Sequence, residues 1–235
     1  MERFEDRIDA GRRLGMALAA WRSDPDVVVV GLPRGGLPVA YEVAIALAAP
    51  LDLLIVRKIG IPFHPETAMG AIGEDGVVVI DEQVMASAGV SKVEFDAVEG
   101  RERTELERRR ALYARDRASL SLKDKTVVLV DDGIATGSTA RAACRVARAR
   151  GASRIILGVP VASSEAVASL RADVDACVVL VVVAGSFSVG EWYRRFDQTS
   201  DDEVIECLRR ADRRGPHPHA AAMPHDADVD RRMDR

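Results

Sequence analysis

Short oily runs alternate along the chain with stretches in which apolar side chains return every third or fourth position, the periods of buried strands and of helices packed on one face. Phe4, Ile8, Leu14, Leu18 and Trp21 recur near helical repeats, which predicts an amphipathic helix over 3–22 that stops before Ser23-Asp24-Pro25. The run at 27–32 reads as a fully buried strand, 38–48 as a helix with proline in its first turn, where a missing N–H costs little, and 51–56 as another strand. From Arg57 to Asp75 the pattern dissolves into Gly, Pro, His and Glu, which predicts a long functional or mobile loop, and 77–80 resumes as a short strand. Residues 91–117, rich in Glu and Arg, predict a charged helix whose Arg108-Arg109-Arg110 form a solvated face rather than the alternative, a phosphate site. Strands at 126–131, 154–161 and 176–183 then alternate with helices at 137–150, 163–172 and 201–213.

This alternation predicts an α/β fold: a mostly parallel sheet with helices on both faces and right-handed crossovers, with an N-terminal helix and the charged helical insertion at 91–117 added to it. Ligands of such sheets bind beyond the carboxyl ends of the strands. The length of 235 residues suits one domain, over 1–213, and the segment 214–235 lacks the large apolar residues of a packed element, so a disordered tail is expected there.

Composition narrows the function classes. A formal net charge of −4, with acids and bases mixed along the chain, gives no electrostatic case for a nucleic-acid partner. The charged start and a longest oily run of only 178–184, against roughly 20 residues for a membrane helix, predict a soluble cytoplasmic protein without a membrane partner. Cys144, Cys177 and Cys207 are odd in number and widely spaced, which predicts small buried residues rather than a disulfide framework or a zinc knuckle.

The densest chemistry lies where Val128-Leu129-Val130 runs into Asp131-Asp132-Gly133-Ile134-Ala135-Thr136-Gly137-Ser138-Thr139. Two adjacent carboxylates at a strand end repel one another and call for hydroxyl or cation partners; vicinal ribose hydroxyls with a Mg²⁺ nearby would satisfy both. Gly133 and Gly137 let the backbone curl, and a helix starting near Gly137 offers unpaired N–H groups and a positive dipole end to an anion, with Thr136, Ser138 and Thr139 adding hydroxyl donors. Acids for a sugar beside amides for a phosphate describe a ribose 5-phosphate cradle. Asp-Asp-Gly by itself is also an ordinary strand-to-loop turn, and Thr or Ser an ordinary helix cap.

The full string closely resembles the 5-phosphoribosyl 1-pyrophosphate (PRPP) binding motif of type I phosphoribosyltransferases. Two further segments are similar to that family. Gly31-Leu32-Pro33-Arg34-Gly35-Gly36 follows the first strand, where the family has its pyrophosphate loop, often with a cis peptide; Val56-Arg57-Lys58 ends the next strand, where the family places basic residues facing pyrophosphate. The resemblance covers about residues 3–210 and is strongest to stand-alone members without an assigned acceptor, through Asp6-Arg7 with Ala10-Gly11 and Val189-Gly190-Glu191-Trp192-Tyr193. It implies Mg²⁺-dependent transfer of the phosphoribosyl group from PRPP to a nitrogenous acceptor. On this reading Asp131, Asp132, Gly133, Ala135, Thr136, Gly137, Ser138 and Thr139 hold the ribose 5-phosphate and Pro33, Arg34, Gly35 and Gly36 the pyrophosphate. Arg57 and Lys58 are then catalytic, and Asp131 and Asp132 act indirectly on the metal. The loop after Lys58 would be the catalytic lid.

The 6-oxopurine enzymes of the family carry an acid three residues after the second Asp; here that position is Ala135, which implies the adenine, orotate or amido-type branches. Acceptor choice should then depend on Phe187, Trp192 or Tyr193, which concentrate aromatic rings in a chain that is 4% aromatic, although Trp192 and Phe196 could equally pack the last helix onto the sheet. The family's fold also serves PRPP or nucleotide sensors that perform no transfer, and no winged-helix segment of such regulators is recognisable here. No Gly-Lys-Thr/Ser P-loop or Gly-x-Gly-x-x-Gly fingerprint follows a strand. The expected partners are therefore the two small-molecule substrates, and a homodimer is compatible with them.

Overall fold

The computed structural model describes residues 3–22, 24–113, 119–185 and 187–214. Its elements run α1 (Arg7–Ala17), β1 (Val27–Gly31), α2 (Gly36–Leu47), β2 (Leu51–Leu53), β3 (Val56–Ile61), β4 (His64–Gly73), β5 (Val78–Ile80), α3 (Glu82–Ser87) and α4 (Lys92–Tyr113). They continue as β6 (Thr126–Val130), α5 (Ser138–Ala149), β7 (Arg154–Ser163), α6 (Ser164–Leu170), β8 (Ala176–Val183) and α7 (Asp201–Asp212). The tail expected to be disordered lies outside the described residues.

Neighbouring residues of a strand face opposite sides, and the oily runs use both. β2, β1, β6, β7 and β8 pair side by side in that order, all parallel, with Val29 opposite Val128 and Leu129 opposite Leu157. Val29, Val128, Val130 and Ile156 belong to a buried cluster with Leu14, Leu37 and Val204, so α1, α2 and α7 cover one face. Val28, Val30, Leu129 and Leu157 join Cys144 and Leu170 in a second cluster, so α5 and α6 cover the other. Each fully buried Val or Leu contributes about 1.5–3 kcal/mol by leaving water, which is why a run oily on both faces is pinned between two helical layers. No helix among the described residues is long and apolar enough to cross a membrane. All three cysteines are free; Cys144 is buried, which pushes its thiol up to about 12, while Cys177 and Cys207 are half-buried.

β1 leads through α2 to β2 on one side, whereas β6 leads through α5 to β7 on the other. The connections therefore diverge between the carboxyl ends of β1 and β6, which is where a parallel sheet opens a crevice for a ligand.

Three expectations need correction. The long loop at 57–75 is instead the hairpin of β3 and β4, which with β5 forms a separate antiparallel sheet. Its glycines serve close backbone approach: a Cβ on Gly60 would lie 2.5 Å from the Pro65 carbonyl oxygen, so small residues that read as loop punctuation are strand residues. The strand at 51–56 divides into β2 and the start of β3, so Arg57 and Lys58 open a strand rather than ending one. The first helix begins only at Arg7, because Asp6 caps it, accepting from the N–H groups of Ile8 and Asp9, while Phe4 forms a bridge to Tyr193.

Candidate active site

At the switch point the two acids sit against the loop between β1 and α2. Asp131 accepts from the N–H of Asp132 at 2.9 Å and keeps only part of its surface in solvent. Burial, then the charge of Asp132, pushes the Asp131 carboxyl well above its ordinary value. Asp132 is pushed up by burial as well, but Arg7 works against the shift: its Nε donates to Asp132 Oδ2 at 2.9 Å, with side-chain exposures of 13% and 16%. The Asp132 backbone is fixed from a third direction by Tyr193, whose hydroxyl donates to the Asp132 carbonyl at 2.5 Å.

Gly35 and Gly36 make this convergence possible. A Cβ on Gly35 would fall 1.9 Å from Asp132 Oδ2, and one on Gly36 2.8 Å from the carbonyl oxygen of Val130 and 3.1 Å from Asp131 Oδ1. The peptide between Pro33 and Arg34 is cis. Arg34 reaches toward Asp201 at the start of α7 (3.9 Å), which also accepts from the Tyr113 hydroxyl at the end of α4 (2.5 Å). Burial, reinforced by that bond, pushes the Tyr113 hydroxyl up to about 12.

Beyond the acids, Ile134 pairs with Ala162, and Ser163 donates to the Ala135 carbonyl at 2.7 Å, which holds the turn onto the end of β7. Gly137 takes a left-handed conformation (φ 82°) and starts the twelve-residue helix α5, with the Thr136 and Ser138 hydroxyls 3.4 Å apart and Thr139 exposed. Gly133 packs behind them against Val161 and Val189. Together, Thr136, Ser138, Thr139 and the free N–H groups of the α5 N-terminus form an anion cradle beside the acids.

A cavity of about 530 Å³ opens next to this cradle, between Pro33, Thr139, the base of the hairpin and α4. Arg57 and Lys58 line it, so the basic pair expected at a strand end does reach the same region from the start of β3. Arg57 donates to Glu102 of α4 through Nε at 2.7 Å and pairs through Nη2 at 2.6 Å. Arg109 lines the cavity too, which corrects the expectation of a solvated Arg108-Arg109-Arg110 face; Arg108, 64% exposed, fits that expectation.

The three aromatic candidates separate. Phe187 is half-buried and, with Ala135, Thr136, Arg141 and Glu165, lines a second cavity of about 490 Å³ on the other side of the cradle. Tyr193 does not face it: the ring is buried (3% exposed) between Phe4 at 5.5 Å and Phe196 at 4.9 Å, so its expected stacking on an acceptor is corrected to a structural role. Trp192 packs half-buried against the same aromatic cluster. Sequence reading also missed Tyr113 and Asp201, whose only signals were charged or aromatic residues at element ends, and it marked Arg7 only within the Asp6-Arg7 string, without a role at the acids.

Among the described residues no group of three or more His, Cys, Asp or Glu could hold a metal ion. The donors that do fit a cation are Asp131 and Asp132, whose mutual repulsion a divalent ion would relieve, and with Asp132 already paired to Arg7 they suit contact through a bound substrate more than direct ligation.

A strand-end acid pair that packs against a glycine loop and runs into a helix N-terminus sets acceptors for hydroxyl groups beside donors for an anion, and the chain belongs to the phosphoribosyl transferase family. The family profile described as "Phosphoribosyl transferase domain" matches residues 6–192. Two Mycobacterium tuberculosis proteins, from strains CDC 1551 / Oshkosh and ATCC 25618 / H37Rv and both named "Putative phosphoribosyl transferase", are 51% identical over 213 residues, 91% of this chain. The chain spans about half of their length, 48%. The crystal structure of TT1426 from Thermus thermophilus superposes with a TM-score of 0.83 at 40% identity, covering 88% of this chain and 98% of that one.

Proposed function

We propose that this protein transfers the 5-phosphoribosyl group of PRPP to a nitrogenous acceptor, a nucleobase or an amine, with release of pyrophosphate. The observation that carries the reading is the meeting of Asp131, Asp132, Gly35, Gly36 and the α5 N-terminus at the switch point of the sheet. In the reaction the bond from ribose C1 to the pyrophosphate oxygen breaks, a bond from C1 to the acceptor nitrogen forms, and the acceptor's proton passes to solvent.

Each group has a role suited to its chemistry. Thr136, Ser138, Thr139 and the α5 amides hold the 5-phosphate, with Gly133 and Gly137 shaping the turn. Asp131 and Asp132 accept from the ribose hydroxyls and lie near the positive charge that develops on the ring as pyrophosphate departs. Pro33, Arg34, Gly35 and Gly36 follow the leaving group with backbone donors, and Arg57 and Lys58 balance its charge. Mg²⁺, bound mainly through substrate oxygens beside Asp131 and Asp132, would neutralise the pyrophosphate. The cavity at Phe187 accommodates a flat acceptor, since its volume lies within the range of about 300–1,000 Å³ common to ligand pockets; Ala135 supplies no acid for a purine ring nitrogen, and the carboxylate that does line the cavity is Glu165.

The test is pyrophosphate release from PRPP and Mg²⁺ across a panel of purine and pyrimidine bases, ammonia and simple amines. Release that depends on one acceptor establishes the transfer and names the substrate. Tight PRPP binding with no release under any acceptor would favour the sensor reading of the same cradle.

A further inference from the structure

The face that α4 turns toward the basic cavity has no part in the reaction as described. Spacings of three, four and seven residues place Val98, Arg101, Glu102 and Arg109 on one side of that helix, and all four line the cavity. Buried Phe95, Val98, Leu106 and Tyr113 anchor the helix to the body of the protein, so its charged edge is held in place.

Among the described lining residues the cations outnumber the carboxylates, although Lys58 is itself engaged by a partner. Arg57, Lys58, Arg101 and Arg109 line the cavity, and Glu102 is the one carboxylate among the lining residues described. Glu102 is engaged by Arg57, at 2.6 Å. Arg109 bonds Glu105 at 2.9 Å, yet that carboxylate also serves Arg108 at 2.8 Å, so one anion is shared between two guanidinium groups. Arg101 is exposed at the rim. Guanidinium groups carry five donors in a planar fork that fits phosphate oxygens, and Arg57 and Arg109 keep donors to spare.

We propose that α4 supplies Arg101 and Arg109 as anion-binding residues, so that the diphosphate end of the substrate lies between the strand residues Arg57 and Lys58 on one side and this helical insertion on the other. The proposal rests on the transferase reading for the identity of the substrate, but the anion site itself stands on the cavity and its charges. It gives the insertion a function: the helix completes a pocket that the loop after β1 and the start of β3 leave open on one side.

The probe is inorganic pyrophosphate with Mg²⁺, titrated calorimetrically into the full chain, with Arg101→Ala, Arg109→Ala and the outward-facing Arg108→Ala compared. Arg101→Ala and Arg109→Ala should each weaken binding about ten-fold, the loss of one charge-assisted hydrogen bond, and Arg108→Ala, which only leaves Glu105 to Arg109 alone, should weaken it less than either. Arg109→Lys should recover part of the loss, and the exposed Arg101→Glu, which leaves the helix anchors untouched, should weaken binding further than Arg101→Ala. Wild-type affinity in the Arg101→Ala/Arg109→Ala double variant, or no pyrophosphate binding by the wild type, overturns the proposal. Arginine-dependent pyrophosphate binding without transfer to any acceptor would uphold it while sinking the transferase reading; transfer with an unchanged double variant would do the reverse.

Discussion

Arg7 Nε donates to Asp132 Oδ2 at 2.9 Å across 125 residues of chain, while the same guanidinium lies 3.9 Å over the Phe196 ring and gives Nη1 to the Asp197 carbonyl at 2.6 Å. One side chain thus ties α1, the acid pair and the segment before α7 together. Because both side chains are largely shielded from solvent, the pair is not a surface bridge of negligible worth. Arg7→Gln should lower stability by about 2–3 kcal/mol, the cost of leaving a shielded carboxylate without its charged donor, read as a drop in urea midpoint at unchanged slope. Arg7→Lys should recover only part, since an ammonium cannot reach the carboxylate, the ring and the carbonyl in one plane. An unchanged midpoint in Arg7→Gln would show the pair to be screened.

Gly35 and Gly36 should respond differently to the same added methyl. At Gly36 the new Cβ meets the Val130 backbone oxygen at 2.8 Å and the Asp131 Cα at 3.0 Å, neither of which can swing away, so Gly36→Ala should cost about 1–3 kcal/mol of stability as overpacking does. At Gly35 the obstacle is the end of the Asp132 side chain, and the backbone at φ −61° accepts alanine. Gly35→Ala should therefore displace the carboxylate from Arg7, lose the stability of that pair and abolish PRPP affinity, so that adding Arg7→Gln costs little more. Thermal unfolding and PRPP titration of both variants and of Gly35→Ala/Arg7→Gln check this; additive losses in the double variant would contradict it.

The β6 and β7 runs were legible to within one or two residues because a strand buried on both faces has no polar alternation to confuse it, and the β8 run, half-buried at the sheet edge, was legible because it is apolar throughout. The strand end, turn and helix start from Asp131 to Thr139 were legible as well, since they are contiguous. The hairpin of β3 and β4 was not: Gly60, Pro62, Pro65 and Gly70 mimic loop composition, and only the partner strands reveal that Gly60 and Gly70 admit close backbone approach. α3 carried a weak signal in Asp81, which caps it by accepting from the Val84 N–H, but six residues are too few for periodicity to register. The roles of Arg7 and Arg109 were beyond reach for different reasons. The partner of Arg7 is 125 positions away, and α4 bears charges around most of its circumference, so nothing local says which arginine turns inward.

Tyr193 and Phe187 separate support from recognition. Tyr193→Phe removes the bond to the Asp132 carbonyl but leaves a buried ring in place, so it should cost about 1 kcal/mol of stability and leave the KM for the acceptor unchanged. Phe187→Ala opens the cavity beside Ala135 and Thr136, and should raise the acceptor KM about ten-fold, within the 1–3 kcal/mol that an aromatic ring contributes by stacking on a base, while PRPP affinity holds. Steady-state kinetics with the acceptor found in the panel decide it. A larger acceptor effect at Tyr193 than at Phe187 would reverse the assignment.

Asp131 should be a residue that the free protein would be more stable without. Its carboxyl is held well above 3.8, first by burial and then by the charge of Asp132, so the folded chain binds that proton more tightly than the unfolded chain does. The stability it contributes is fully present below the ordinary carboxylate value and is lost as the pH rises through the raised one. At neutral pH, far above the ordinary carboxylate value, this carboxyl is thus a standing cost to the unliganded fold. Asn keeps an oxygen to accept from the Asp132 N–H and removes the charge, so Asp131→Asn should be more stable than wild type at pH 7, read as a higher urea midpoint. The difference should shrink toward zero as the pH falls to about 4, where Asp131 is itself protonated. The same variant should bind PRPP poorly, because the neutral amide offers a hydroxyl or cation less than the carboxylate does. Chemical denaturation at a series of pH values, paired with PRPP titration, measures both. Lower stability of Asp131→Asn at pH 7 would mean the charge is already balanced in the free protein, and the acid pair would then lose its character as a site waiting for a ligand. Higher stability with lost binding would place the conflict between fold and function at this one strand end.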